Sequence, residues 1–329
     1  MILIYSEDPD EATTEVIDWL NHFKVNFKRI NTNYVFSPIH TELSYNISNT
    51  NKSDVDITSI WYRRPGTGID IPIKIGKNHL TSKNFYPLIS RLNHSIFTES
   101  KLVLDFLLSN VNDIRQLGNL DRSEVNKYTL FKIAQRYQID IPETIITNSK
   151  KDLLEFYNLH DKKIVIKLHD MILCSGTEQY KHYATYTEKV ENLFLNKLSD
   201  YFHVSVFQEL LDKEFEIRSF YLDGEFYSMA MFTQINPQTS IDFRRYNRKK
   251  MNRRVPYKLP KEIEIKLHNL MKEINLNTGS LDIVKTKSGK FVFLEVNPIG
   301  QFGFVEYSCN YYLYKKIAKY LIDDEKKRI

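Results

Sequence analysis

The sequence predicts an α/β (α+β) fold: a leading βα unit followed by a longer part that turns antiparallel toward the C-terminus. Three observations carry this. "MILIYS" is an apolar strand run followed by "DPDEATTEVIDWLNHF", a capped helix with acids in its first turn. "FEIRSFYLDGEFYSMAMF" is a hairpin turned by Asp223-Gly224, among the stronger short-range hairpin signals. "GSLDIVKTKSGKFVFLEVNP" is a second hairpin near the end of the chain.

In chain order, "VNFKRIN" and "SIWYRRP" read as further strands, and a helical stretch covers roughly residues 82–109. This first unit has no G-x-G-x-x-G and no P-loop. In "DRSEVNKYTLFKIAQRYQIDIPETIITN", Asp121 or Ser123 can cap a helix running to about Tyr137, and a strand follows. "SKKDLLEFYNL" is a helix, "KKIVIKL" a strand, and "DMILCSGTEQYKHYATYT" a polar loop. "VSVFQELLD" is a strand, "DFRRYNRKKMNRRVPYKLP" a basic loop, and Lys261 to Ile274 a helix; "YYLYKKIAKYLI" closes the chain as another. The expected units are residues 1–119, 120–203 and 204–329, with no internal repeats and no long linker.

With 329 residues, 42% hydrophobic and 26% charged, the chain has the composition of an enzyme-sized globular protein rather than a disordered one. A net charge of +5 favours acidic partners but is too small to indicate nucleic acid. Cys174 and Cys309 make neither a disulfide framework nor a metal cluster, and the nine His residues show no metal-ligand spacing. The N-terminus runs into acids after a few residues, unlike a signal peptide, and no apolar run approaches the ~18 residues of a membrane span. A cytoplasmic location is the expectation.

The second hairpin raises a chemical question. If Ser288-Gly289 makes a two-residue turn, Asp282 faces Glu295 and Ser280 faces Asn297. Strand alternation puts Glu295 and Asn297 on one face, about 7 Å apart. Like charges directly opposite destabilise a sheet, and a divalent cation removes the conflict, because carboxylate and amide oxygens suit Mg²⁺. A three-residue turn with Gly289 left-handed would instead pair Asp282 with Leu294. Mg²⁺ keeps positions open for phosphate oxygens, which implies a nucleotide. Lys167, ending an apolar strand, and Lys127, in the first turn of a helix, are candidate phosphate cations. The strand "FQELLDKEFEIR" offers backbone groups for an adenine edge and acids for a ribose. The basic loop holds Arg244, Arg245, Arg248, Arg253 and Arg254, suited to carboxylate recognition.

Taken in order, Lys127, Lys167, "FQELLD", "EIRSFYLDGEFY" and "SLDIV…GKFVFLEVNPIGQFGF" resemble the ATP-grasp superfamily over roughly residues 120–329. "MILIYSEDPDEATTEVIDWL", "WYRRP", "NRRVPYKLP" and "IGQFGFVEYSCNYYLYKKIAKYL" resemble more closely the ATP-grasp maturases of graspetide (microviridin-type) clusters, particularly the grasp-with-spasm group. The resemblance implies an ATP-grasp fold with an N-terminal pre-ATP-grasp domain. It implies an ADP-forming ligase using ATP and two Mg²⁺ ions. Lys127 and Lys167 would contact phosphates, Glu209, Leu210 and Leu211 the adenine, and Asp212 or Glu214 the ribose. Asp282, Glu295 and Asn297 would carry Mg²⁺. Arg218, Arg244 and Asn247 would contact the substrate or the transferred phosphate. The implied partner is a ribosomal precursor peptide, leader plus acidic, Thr-rich core, acted on by a homodimer with no membrane or nucleic-acid role. Its Asp or Glu carboxylates would be phosphorylated and then captured by Ser/Thr hydroxyls or Lys amines. One departure stands out: the loop "DMILCSGTEQYKHYATYT" has a single glycine, Gly176, where ATP-grasp enzymes often have a glycine-rich loop.

Two other readings use the same residues differently. A carboxylate–amine ligase acting on an amino acid, small molecule or protein C-terminus shares every nucleotide residue and differs only in its acceptor. A non-catalytic RNA-binding protein would use "RRYNRKKMNRR", which lacks an RNP-type aromatic pattern, and would release no ADP.

Overall fold

The computed structural model describes residues 1–31, 57–64, 91–96, 98–99, 102, 114–119, 125–167, 186–236, 239–242, 245 and 251–322. Strand β1 (Ile2–Ser6) is buried at every position, as a central strand of a parallel sheet must be. Its neighbours are β2 (Phe27–Asn31), β3 (Ser59–Tyr62) and β4 (Arg115–Leu117), in the order β2-β1-β3-β4, all parallel. Helix α1 (Glu11–His22) joins β1 to β2 and buries Ala12, Thr13, Val16 and Leu20, a stripe at helical spacing. Asp10 stands at its N-cap but makes no side-chain cap bond; its carboxylate is engaged elsewhere. Of the helix expected over 82–109, residues 91–96 and 98–99 are helical, and most of the rest lies outside the described residues.

Helix α2 (Lys127–Arg136) is capped by Asn126, whose side chain accepts from the amides of Tyr128 and Thr129. Cap oxygens satisfy donors that the first turn leaves open. Asp121 and Ser123, expected as caps, lie outside the described residues. Next come β5 (Thr144–Ser149), α3 (Lys150–Leu159), β6 (Ile164–Lys167), β7 (Glu188–Lys189), α4 (Asn192–Lys197) and β8 (Tyr201–Glu209). The strands form an antiparallel sheet ordered β5-β8-β6-β7. The expected boundary at 203/204 therefore falls inside β8, which pairs along its length with this sheet. Likewise α2 packs on the C-terminal sheet: Leu130, Phe131 and Ala134 share a core with Ile217, Ile283 and Phe293.

That C-terminal sheet is antiparallel and ordered β11-β10-β9-β12-β13. Its strands are β9 (Lys213–Leu222), β10 (Glu225–Met231), β11 (Arg254–Tyr257), β12 (Thr278–Thr286) and β13 (Phe291–Asn297). Asp223 (φ 43°) and Gly224 (φ 100°) turn β9 into β10, both left-handed as a tight primed turn requires. β11 lies within the stretch read as a basic loop. Its Pro256 breaks the strand pattern but is tolerated on a sheet edge. Helix α5 (Lys261–Glu273) joins α2 on one face of the sheet. On the other face Phe220 and Leu222 meet the short helix α6 (Gly303–Cys309), and α7 (Leu313–Ile322) packs with α1 against the parallel sheet. No described helix is long and apolar enough to cross a membrane.

The C-terminal hairpin differs from the two-residue expectation. The amide of Gly289 (φ 93°) donates to the Thr286 carbonyl, and that of Thr286 to the Lys290 carbonyl. This is the three-residue turn, with glycine at the left-handed position. The pairing runs Lys285 with Phe291 and Ile283 with Phe293, then shifts at a β-bulge so that Asp282 still meets Glu295 and Ser280 meets Asn297. Leu294 is the extra residue. Phe293, fully buried between Phe131 and the sheet, anchors that register. Phe293→Ala is expected to cost about 3–5 kcal/mol, read as a lowered denaturant midpoint in equilibrium unfolding.

Candidate active site

Three strands place three charges on one rung. Arg218 on β9 pairs with Asp282 on β12, and Asp282 pairs with Glu295 on β13. Arg218 Nη1 donates to Asp282 Oδ2 at 2.8 Å, both side chains nearly buried. Lys127, projected from the first turn of α2, donates Nζ to Glu295 Oε2 at 2.8 Å. Lys167, ending β6 on the facing sheet, comes close enough for its charge to act on Glu295 and Lys127. The rung lines a cleft of about 350 Å³ between the C-terminal and middle sheets, with Gln208, Glu209, Leu210 and Leu211 on its far side.

The electrostatics describe a place built for other ions. Burial pushes Asp282 up to about 6, against the pull of Arg218 and with a further push from Glu295. Burial and the Lys127 charge press Lys167 down to about 7. Glu295, although burial opposes ionisation, is held near 2 by Lys127 and Lys167. Crowded lysines gain from an anion and crowded carboxylates from a cation. Asp282 Oδ1 and Ser280 Oγ are buried with no hydrogen-bond partner among the described residues, a costly arrangement unless a ligand completes it. Asp282, Glu295 and Asn297 present the hard oxygen donors that suit Mg²⁺. Among the described residues no group of three or more His, Cys, Asp or Glu gathers to hold a metal. A cation here would thus take its remaining oxygens from water and a bound phosphate.

Other expected residues fare unevenly. The amides of Glu209 and Leu210 are already donated to the carbonyls of Glu143 and Lys163. Those two amides are therefore not available to a ligand at this edge. Asp212 is exposed and paired with Lys287 at 2.7 Å, and Glu214 is exposed; neither lines the cleft. Lys213 and Glu216 do, buried and joined at 2.9 Å, with Thr233 Oγ1 also donating to Glu216. The cause is a bulge: Lys285 pairs with Phe215 and Thr286 with Lys213, leaving Glu214 over. Plain alternation from Arg218 reaches Glu216 and then Glu214; the bulge brings Lys213 inward instead. Asp242, which accepts from the Thr187 amide, and Phe304 also line the cleft. Nothing local in the sequence marks either one. Arg244 and Asn247 lie outside the described residues. Of the other loop arginines, Arg245 pairs with Glu188 at 2.6 Å and Arg253 lies over Phe232. Arg254 and Arg218 flank the Phe304 ring.

Solved structures of similar fold cover nearly the whole chain. Macrocyclase MdnC from Microcystis aeruginosa MRC, bound with precursor peptide MdnA, superposes with a TM-score of 0.75 at 23% identity. The match covers 98% of this chain and all of that one. A RiPP-associated ATP-grasp ligase of Chryseobacterium gregarium, in complex with ADP and a leader and core peptide, gives 0.76 at 20% identity over 98% and 96%. The ATP-grasp ligase PsnB, complexed with minimal precursor, Mg and ADP, gives 0.67 at 14% over 98% and 96%. The chain has the ATP-grasp fold. No family model and no curated protein matches it. In this fold the middle sheet forms one wall of the cleft and β9, β12 and β13 the other.

Among the described residues, Arg218 is the side chain whose loss leaves Asp282 both buried and unpaired. Arg218→Met is expected to destabilise the protein by about 3–5 kcal/mol at pH 8. Asp282 is largely neutral in folded and unfolded chains alike below about pH 3. The variant should therefore be least impaired in acid and lose stability as pH rises toward the raised value of Asp282, a trend readable in denaturant midpoints measured across pH.

Proposed function

We propose that this protein is an ATP-dependent peptide macrocyclase that joins Asp or Glu side chains of a ribosomally made precursor to Ser or Thr hydroxyls, or to Lys amines. The observation that carries the reading is the rung Arg218–Asp282–Glu295 with Lys127, facing Lys167 across the cleft. It supplies oxygen donors for a cation beside lysines for phosphates. The neighbours in fold support the choice of substrate: MdnC is bound with a precursor peptide, and PsnB with precursor, Mg and ADP.

In this reading Lys127 and Lys167 bind the phosphates of ATP, Leu211 meets the adenine edge, and Lys213 and Glu216 stand where the deep cleft would hold the rest of the nucleoside. Asp282, Glu295 and Asn297 hold Mg²⁺, two ions by the family resemblance, which supplies charge neutralisation for the triphosphate. Arg218, with Arg244 and Asn247 of the basic loop, orients the incoming carboxylate. An oxygen of that carboxylate attacks the γ-phosphorus, the bond to the β-phosphate oxygen breaks, and ADP leaves. The hydroxyl oxygen then attacks the acyl carbon, the bond from that carbon to the phosphate oxygen breaks, and inorganic phosphate leaves with the hydroxyl proton. No nucleophile of the protein is consumed; preorganised charge and positioning do the work. A cytoplasmic homodimer, and a division into a pre-ATP-grasp unit and two ATP-grasp subdomains, belong to the same proposal.

The test is incubation with ATP, Mg²⁺ and a candidate precursor, followed by mass measurement. The expected product is lighter by one water per ring, and Glu295→Gln and Asp282→Asn abolish it. ATP consumption with no change in peptide mass would assign the acceptor elsewhere. The cation should also compete with protons at Asp282. Below about pH 6 Mn²⁺ affinity is expected to fall by up to about tenfold per pH unit, as measured by titration of the ADP complex.

A further inference from the structure

Arg63 follows β3 in the parallel sheet, yet its guanidinium reaches the loop after Asn297. The residue is buried, 3% exposed. Its Nε donates to Asp10 Oδ2 at 3.1 Å, and that oxygen also accepts from Thr13 Oγ1 at 2.6 Å. Its Nη1 donates to the carbonyls of Ile299 and Gly300. The guanidinium carbon lies 5.3 Å from the centre of the Phe302 ring, which itself packs on Phe220. Gly300 closes the chain of contacts. Its amide donates to the backbone oxygen of Asn297 at 3.0 Å and to Asn297 Oδ1 at 3.3 Å. Gly300 is left-handed (φ 59°), and a Cβ there would meet Phe220 at 3.2 Å and Gly279 backbone at 3.4 Å.

Stability alone is a poor account of this network. A buried ion pair contributes little over apolar packing of the same volume. Asp10 also makes no cap bond to α1, although a cap contributes about 1 kcal/mol. What an apolar residue could not supply is a planar donor group whose Nη1 donates to two successive carbonyls while Nε is held by Asp10. We propose that Arg63 is a positioning residue: held by Asp10, it fixes Ile299 and Gly300, and through the Gly300 amide it orients the Asn297 carboxamide as a cation ligand. This rests on the reading of Asn297 as a ligand of the divalent cation.

The test uses the full chain with ADP and Mn²⁺, the free ion being followed by electron paramagnetic resonance, in Arg63→Lys, Asn297→Ala and the double variant. Arg63→Lys is expected to weaken Mn²⁺ binding about tenfold while metal-free ADP binding holds, and to add nothing once Asn297→Ala is present. Wild-type Mn²⁺ affinity in Arg63→Lys, or effects that add in the double variant, would overturn the proposal. Should Arg63→Lys fail to fold, Asp10→Asn takes its place in the same cycle. Weakened Mn²⁺ binding that adds nothing to Asn297→Ala then supports the proposal, and wild-type affinity or additive effects overturn it. Unchanged Mn²⁺ affinity in Asn297→Ala would instead overturn the ligand reading on which the proposal stands.

Discussion

Two carboxylates face each other across adjacent strands, and the surrounding structure is arranged around that repulsion. Asp282 and Glu295 share a rung of the sheet, where like charges are unfavourable. Arg218 flanks Asp282 from one side and Lys127 flanks Glu295 from the other, each at 2.8 Å. The elements that bring these cations, β9 and α2, also build the largest described core, with Phe131, Ile217, Ile283 and Phe293 in one cluster. Apolar burial thus supplies the rigidity that holds four charges in place, since a packed interior deforms little. Asp282 Oδ1 and Ser280 Oγ, buried beside this rung, have no hydrogen-bond partner among the described residues, and a bound cation is the kind of ligand that would satisfy them.

Two bulges decide which side chains belong to the cleft. Leu294 is inserted opposite β12, and the extra residue offsets the longer turn at Lys287, Ser288 and Gly289, so that Asp282 and Glu295 still meet. Glu214 is left unpaired on β9, and Lys213 turns inward beside Glu216. A bulge changes face parity at the cost of one ladder position, which is why bulges recur beside functional sites. One further consequence is chemical. The inward residue is a lysine bound to Glu216 and to the Ile241 carbonyl, rather than an acid open to a ribose.

The parallel sheet contributes without facing the cleft. Ser59 Oγ donates to the Leu321 carbonyl, Arg115 to the Tyr320 carbonyl, and Asn277 joins Gln116, Gly118 and Tyr320. With Arg63 on the Ile299 carbonyl, these bonds tie the N-terminal unit to α7 and, through Asn277 and Ile299, to both ends of the hairpin that carries the rung. Hydrogen bonds to buried carbonyls are costly to leave unmade, so the unit and the hairpin hold each other in one arrangement.

From sequence alone came the α/β character, the order of elements, and the convergence of Asp282, Glu295 and Asn297. The reason is that strand alternation and turn chemistry act over a few residues. Lys167 stood out too, as a charge ending an apolar strand, and Lys127 as a lysine in the first turn of a helix. The exact turn was not decisive, because a bulge compensated for it, and a bulge leaves no local signature. Only the tertiary structure showed that the Glu209 and Leu210 amides are taken, that Lys213 replaces Glu214 in the cleft, and that β8 belongs whole to the middle sheet. It alone brought Arg63 to Ile299 across most of the chain. Those facts depend on pairing between distant segments, set by the burial of shared apolar faces rather than by local sequence.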